Sequence, residues 1–249
     1  MQDKDDVLKR FHESFEKMGD NFHVLEHQVP IEQQMDYFKY SEQVRREVSS
    51  LNDEDYHAYM EELQNGTLTI DRKKQILSLL ASSKQIRAYR LLENYVQHPE
   101  AELANWAYMA LMESRIMLES DLSGEKQIYI SSGLGGKGDK LRFYALFLSE
   151  GKVPFLDYQR DVISKEFFYA FSKNDCEIER LTIEDVFVEL LFLMPVRCDI
   201  RQILLNIVRE CNVYGHFLSE ILTVTNVKEL NRDEINQIIE QYGTGQASS

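Results

Sequence analysis

Leu141 to Leu148 reads LRFYALFL, and Val186 to Met194 reads VFVELLFLM. Both runs are almost uninterrupted in apolar residues and short, as strands covered on both faces are. The sequence around them fits that reading. Phe155 to Phe171 sets Ile163, Phe167, Ala170 and Phe171 at helical spacing. Cys176 to Ile183 and Ser219 to Thr225 alternate polar with apolar, as strands with one wet face do. Asp199 is placed to cap a helix carrying Ile200, Ile203, Leu204, Ile207, Val208 and Cys211 in register. Asn231, with Glu234 three residues on, opens a last helix with Ile235, Ile238, Ile239 and Tyr242. A second reading of 186–194 stays open, because Thr182-Ile183-Glu184-Asp185 could cap a helix instead.

From residue 141 the order is β-α-β-β-α-β, which resembles the ferredoxin-like split-βαβ arrangement. That topology buries its first and third strands centrally, where the two apolar strings fall, and leaves the alternating strands at the edges. Gln127 to Ser132 (QIYISS) also alternates and suggests an extra N-terminal strand, a hairpin partner for 141–148.

Before residue 120 the apolar period is that of helices. Val7, Phe11, Phe15, Met18 and Phe22 form one stripe, and Tyr37, Tyr40, Val44, Val48 and Leu51 another. Pro30 separates them. Tyr56, Tyr59, Met60 and Leu63 form a third, between an Asn52-Asp53 cap and an Asn65-Gly66 stop. A short helix over 71–81 precedes a capping box from Ser82 to Gln85. The next helix buries Ile86, Tyr89, Leu92 and Val96, ending at His98-Pro99-Glu100. Another follows with Leu103, Trp106, Ala107, Ala110, Leu111, Ser114, Met117 and Leu118 on one face. The string YRLLENYVQHPEAELANWAYMAL, within 71–118, resembles a HEAT-like helical repeat. That resemblance implies stacked helix pairs whose open faces hold protein partners. The fold class is thus α+β: a helical domain over 1–120, an α/β domain over 121–242, and a disordered tail over 243–249.

The net charge is −14, and residues 1–66 hold 16 acidic against 7 basic side chains. Such a surface repels nucleic-acid phosphates at long range. The most apolar stretch, Val186 to Val196, contains Glu189 and falls short of the roughly 20 residues a membrane helix needs. The acidic start MQDKDDVLKR lacks the apolar core of a signal peptide. Three cysteines, Cys176, Cys198 and Cys211, with no close pair in sequence, suggest neither a disulfide framework nor a zinc site. A cytoplasmic protein is expected.

Candidate chemistry is sparse. Gly135, Gly136, Lys137 and Lys140 lie in a glycine-rich loop that could cradle an anion. It lacks the Gly-Lys-Ser/Thr of nucleotide phosphate loops, and a strand follows, so a hairpin turn is the competing reading. His23 and His27 could share a helical face, but a third ligand cannot be named, and no metal or cofactor is expected. Cys211, Asn212 and His216 suggest a thiol nucleophile, against burial of Cys211 as a small hydrophobe. Asp53-Asp55 and Glu61-Glu62 read as a solvated face. Arg72, Lys73, Lys74, Lys84, Arg87 and Arg90 form a basic cluster. Tyr89, Arg90, Trp106 and Tyr108 are the candidate partner-binding platform. The expected function is non-enzymatic protein–protein interaction or scaffolding, with another protein or a second copy as partner. The alternatives are an RNA- or ribosome-associated factor, with Arg142 and Tyr144 on one strand face, and a small-molecule or nucleotide sensor using loop 133–140.

Overall fold

A computed structural model describes residues 22–47, 53–64 and 68–244. It mixes helices with antiparallel sheet, an α+β protein. The described residues fall into two compact units, 22–131 and 132–244.

In the helical unit a short strand β1 (Phe22–Val24) leads to α1 (Ile31–Glu47), α2 (Asp53–Gln64), α3 (Ile70–Ser82), α4 (Ile86–Gln97) and α5 (Ala104–Ser123). It closes with β2 (Ile128–Ile130), which pairs with β1 in parallel, Phe22 opposite Ile128 and Val24 opposite Ile130. Pro30 precedes the first turn of α1, where its missing N–H is harmless. Thr69 caps α3, its side chain accepting from the Arg72 N–H. Leu25, Tyr37, Ile76, Leu77, Leu80, Ala88, Leu92, Ala107 and Ala110 make the core, each close to fully buried. The small Ala88, Ala107 and Ala110 let helix backbones approach closely.

Four readings change here. Residues 127–132 do not pair with 141–148: Ile128–Ile130 pairs with Phe22–Val24, so the boundary falls near Ser131 rather than residue 120. Phe22 is a strand residue, not the end of a helical stripe; Val7 to Met18 lie outside the described residues, as do Val48, Leu51, Asn52, Asn65 and Gly66. Ser82 and Gln85 form no capping box. Ser82 is still helical and its hydroxyl donates to the Ser78 carbonyl, while the Gln85 side chain makes no capping hydrogen bond. Ile86 is 60% exposed, and the buried face of α4 runs through Ala88 and Leu92.

The second unit is built on β4 (Lys140–Ser149) and β6 (Phe187–Pro195), antiparallel neighbours from Lys140↔Pro195 to Leu148↔Phe187. Residues 187–195 are therefore strand, not helix. β5 (Glu177–Ile183) lies beyond β6. The other edge of β4 is shared by β3 (Gly136–Lys137) at Lys140–Leu141 and β7 (Leu218–Thr225) at Tyr144–Ser149. The main strand order is β5-β6-β4-β7, every neighbour antiparallel. α6 (Asp157–Lys173) joins β4 to β5, and α7 (Ile200–Asn212) joins β6 to β7. Ala145, Phe147, Val188, Leu190 and Phe192 pack with Ile163 and Phe167 of α6 and Leu204 and Ile207 of α7. Tyr144, Leu146, Leu148, Phe187 and Leu191 pack on the opposite side with Ile235 of α8 (Arg232–Thr244). Cover on both faces is why the two strings are continuously apolar.

β5 carries a device invisible in its alternation. Ile178, Leu181 and Ile183 all pack on the helix-side core, although 178 and 181 differ in parity. A register shift between Ile178 and Arg180 against β6 inserts the extra residue that allows it. The two helix starts read from sequence form as expected. The Asp199 carboxylate accepts from the Gln202 N–H, and Asn231 and Glu234 cap one another's backbone N–H groups at 2.9 and 3.0 Å. The tail beyond residue 244 lies outside the described residues.

Candidate functional site

The glycine-rich segment forms a hairpin. Lys137 and Lys140 face each other across Gly138-Asp139, and Gly138 adopts φ +62°, which glycine tolerates without strain. Gly133 is needed for another reason: a Cβ there would lie 1.8 Å from the Val227 carbonyl oxygen. The Gly135 carbonyl accepts from the Arg142 N–H and the Ser132 hydroxyl, and Gly136 pairs with Leu141. The Lys140 ammonium lies 3.0 Å from both Asp175 and Glu177, and Lys137 lies 3.3 Å from Glu177. These two lysines hold the Glu177 carboxyl below the usual carboxylate range. The charges that would attract an anion are thus engaged by acids at the start of β5.

The thiols are not activated. Burial pushes Cys211 up to about 12, and the neighbouring Asn212 amide is spent on the backbone of Phe217 and Leu218, leaving His216 exposed. Cys198 precedes α7, yet burial, then Asp175 and Asp139, raise its thiol as well. His23 and His27 share no helical face: His23 is in β1, stacked on Tyr129 and bonded to Gln127, while His27 follows the strand and packs on Tyr108. Among the described residues no group of three or more His, Cys, Asp or Glu side chains could hold a metal ion.

Three of the four residues of the expected platform, Tyr89, Trp106 and Tyr108, pack against the helical core. The Trp106 ring meets Tyr37 and Tyr40 edge-on, Lys74 lies over it, and its indole N–H donates to the Ser78 hydroxyl and Lys74 carbonyl. Tyr108 accepts from the His27 N–H through its hydroxyl. Tyr89 packs against the helical core, and Arg90 alone of the four is exposed. The basic cluster is likewise partly consumed. Arg72 is bidentate to Glu62, Lys73 is buried against Glu100, and Arg87 lies over Tyr56. Glu62 thereby leaves the purely solvated face expected of it.

The sheet face beneath α8 is also engaged. Tyr144 is fully buried and donates to Glu189 at 2.8 Å, and Arg142 is bidentate to Glu179. A base cannot stack on a buried ring.

Sequence reasoning missed two features. Glu113, buried on α5, accepts from the hydroxyls of Tyr37 and Ser41, both at 2.6 Å, and from Arg45. Its three donors lie at i, i+4 and i+8 along α1, a polar stripe that could have signalled a buried acceptor. The second is an apolar surface at one end of the α/β unit. Val153, Leu156, Tyr158, Val213 and Tyr214 are each at least half exposed. The segments carrying them meet: the Tyr158 hydroxyl lies beside Gly215, Phe155 packs edge-on against Phe217, and the Glu150 N–H donates to the Phe217 carbonyl.

No helix among the described residues is long and apolar enough to cross a membrane. No family model and no curated protein matches the chain. A solved structure from Deinococcus radiodurans R1, assigned provisionally as a transposase, is similar at 20% identity over 41% of this chain and 90% of that one. Its TM-score of 0.36 is too low to bear on function here.

Proposed function

We propose that this chain is a non-enzymatic, cytoplasmic interaction protein, with a HEAT-like helical unit and a ferredoxin-like α/β unit. The strand order β5-β6-β4-β7 with crossovers α6 and α7 supports the second name. The observation that carries the functional reading is the exposed apolar end formed by Val153, Leu156, Tyr158, Val213 and Tyr214. Side chains of this size gathered on one surface mark a site for a partner. Chemistry, by contrast, needs groups poised to exchange protons or attack, and here Glu113, Lys73, Lys140, Arg142 and Glu177 are bonded to other side chains of the protein. The partner is a protein with a complementary apolar ridge and net positive charge, which the −14 chain attracts at long range.

The test is the double variant Tyr158→Ser/Tyr214→Ser. A stoichiometric complex recovered with the unaltered chain, lost in the variant with circular dichroism unchanged, supports the reading. Retention of the complex by the variant sinks it, as does turnover of a metabolite with no complex formed.

A further inference from the structure

We propose that Cys176 and Cys198 are a thiol pair that closes to a disulfide when the chain meets a peroxide. The two residues are far apart in sequence, which conceals the pairing. The fold brings them to one point: the Cys176 Sγ lies 3.3 Å and the Cys198 Sγ 3.9 Å from the same atom, the Asn174 carbonyl oxygen. Cys176 ends the turn between α6 and β5, a turn in which Asp175 takes φ +53°. Cys198 ends the loop between β6 and α7, where its N–H donates to the Pro195 carbonyl. Both side chains border the core on the helix side of the sheet. Cys198 is half-buried and Cys176 is buried, so reagents reach Cys198 first.

The chemistry balances in two steps. A peroxide, ROOH, oxidises the Cys198 thiol to a sulfenic acid and leaves as the alcohol ROH. The Cys176 sulfur then displaces the hydroxyl from the Cys198 sulfur. The S–S bond forms, the Cys198 S–O and Cys176 S–H bonds break, and the hydroxyl and proton depart as water. Peroxide is reduced by two electrons and the two thiols lose them. Burial foremost, with Asp175 beside both thiols and Asp139 beside Cys198, opposes thiolate formation, while Lys140 favours it, so the first step is slow and the second rests on the nearness of the two sulfurs. Cys211 sits elsewhere, fully buried on α7, and serves as an internal control.

The experiment treats the full-length chain, dilute, with hydrogen peroxide, then alkylates remaining thiols under denaturing conditions and maps peptides without reduction. The expected result is one intramolecular cross-linked peptide joining Cys176 to Cys198, lighter by two hydrogens, reversed by dithiothreitol, with Cys211 alkylated. In Cys198→Ser the cross-link disappears and Cys176 is alkylated. Oxidation of Cys198 to sulfinic acid with Cys176 still alkylated would overturn the proposal. So would a bond to Cys211, or all three thiols alkylated after peroxide has been consumed.

Discussion

Removing the buried carboxylate of Glu113 isolates two hydroxyls and frees one guanidinium. In Glu113→Ala the Tyr37 and Ser41 hydroxyls, both buried, lose the oxygen they share. Each buried donor left unsatisfied costs ~1–3 kcal/mol. Tyr37 cannot escape by ionising, because burial, the largest of the causes that hold its hydroxyl well above the usual tyrosine range, persists in the variant. Arg45 is about half exposed and returns to water at little cost. The two together come to ~2–6 kcal/mol, centred on ~4 kcal/mol. In Glu113→Gln the amide oxygen still serves both hydroxyls and the amide nitrogen faces Arg45, which swings outward; the loss is ~1 kcal/mol. Urea unfolding followed by Trp106 fluorescence separates these cases. Trp106 is the chain's single tryptophan and packs on Tyr37, so it reports on the helical unit. With a slope of ~2 kcal/mol per M, Ala moves the midpoint down by ~2 M and Gln by ~0.5 M. Midpoints for Ala and Gln that coincide, or a loss for Ala below ~1 kcal/mol, would refute the claim that Glu113 is the acceptor holding α1 to α5.

Gly133→Ala drives a methyl into the Val227 carbonyl and lowers the stability of the α/β unit by ~2–4 kcal/mol, read by circular dichroism in urea. Asn231→Ala removes the cap of α8 and costs ~1 kcal/mol by the same measurement, whereas Asn231→Asp retains most of it. Alkali weakens the helical unit. Burial pushes Tyr129 up to about 12, above its ordinary 10, so the stability it contributes is complete below pH 10 and is lost as pH rises towards 12. The Trp106 midpoint should hold from pH 7 to 9 and fall above 10; a phenolate titration at 10 for every tyrosine of the folded chain would contradict this.

LRFYALFL was legible as a strand because burial on both faces leaves a continuous apolar run, VFVELLFLM was legible as buried but as strand only from its pairing with β4, and Asp199 and Asn231 were legible because caps are local. Pairing was not legible. QIYISS announces a strand, yet nothing in it selects Phe22–Val24, about a hundred residues upstream, over the nearer 141–148. The bulge in β5 is concealed by its polar alternation. The Ser82-to-Gln85 pattern failed because the Ser82 hydroxyl found the Ser78 carbonyl of its own helix first. Trp106 and Lys140 were noticed for their chemistry, but only the fold shows that Tyr37, Tyr40, Asp175 and Glu177 occupy them. Charge and aromaticity are read from a residue alone, whereas availability depends on what folds against it.

The parallel pairing of Phe22–Val24 with Ile128–Ile130 makes the helical unit a cassette whose two ends touch. Closing so long a loop is entropically unfavourable until the intervening helices have condensed, so this clasp forms late in folding. It also means that the order in which the chain visits these helices is negotiable. A permuted helical cassette, cut at Lys84 between α3 and α4 and rejoined across the clasp by a short linker, should reach the same packing.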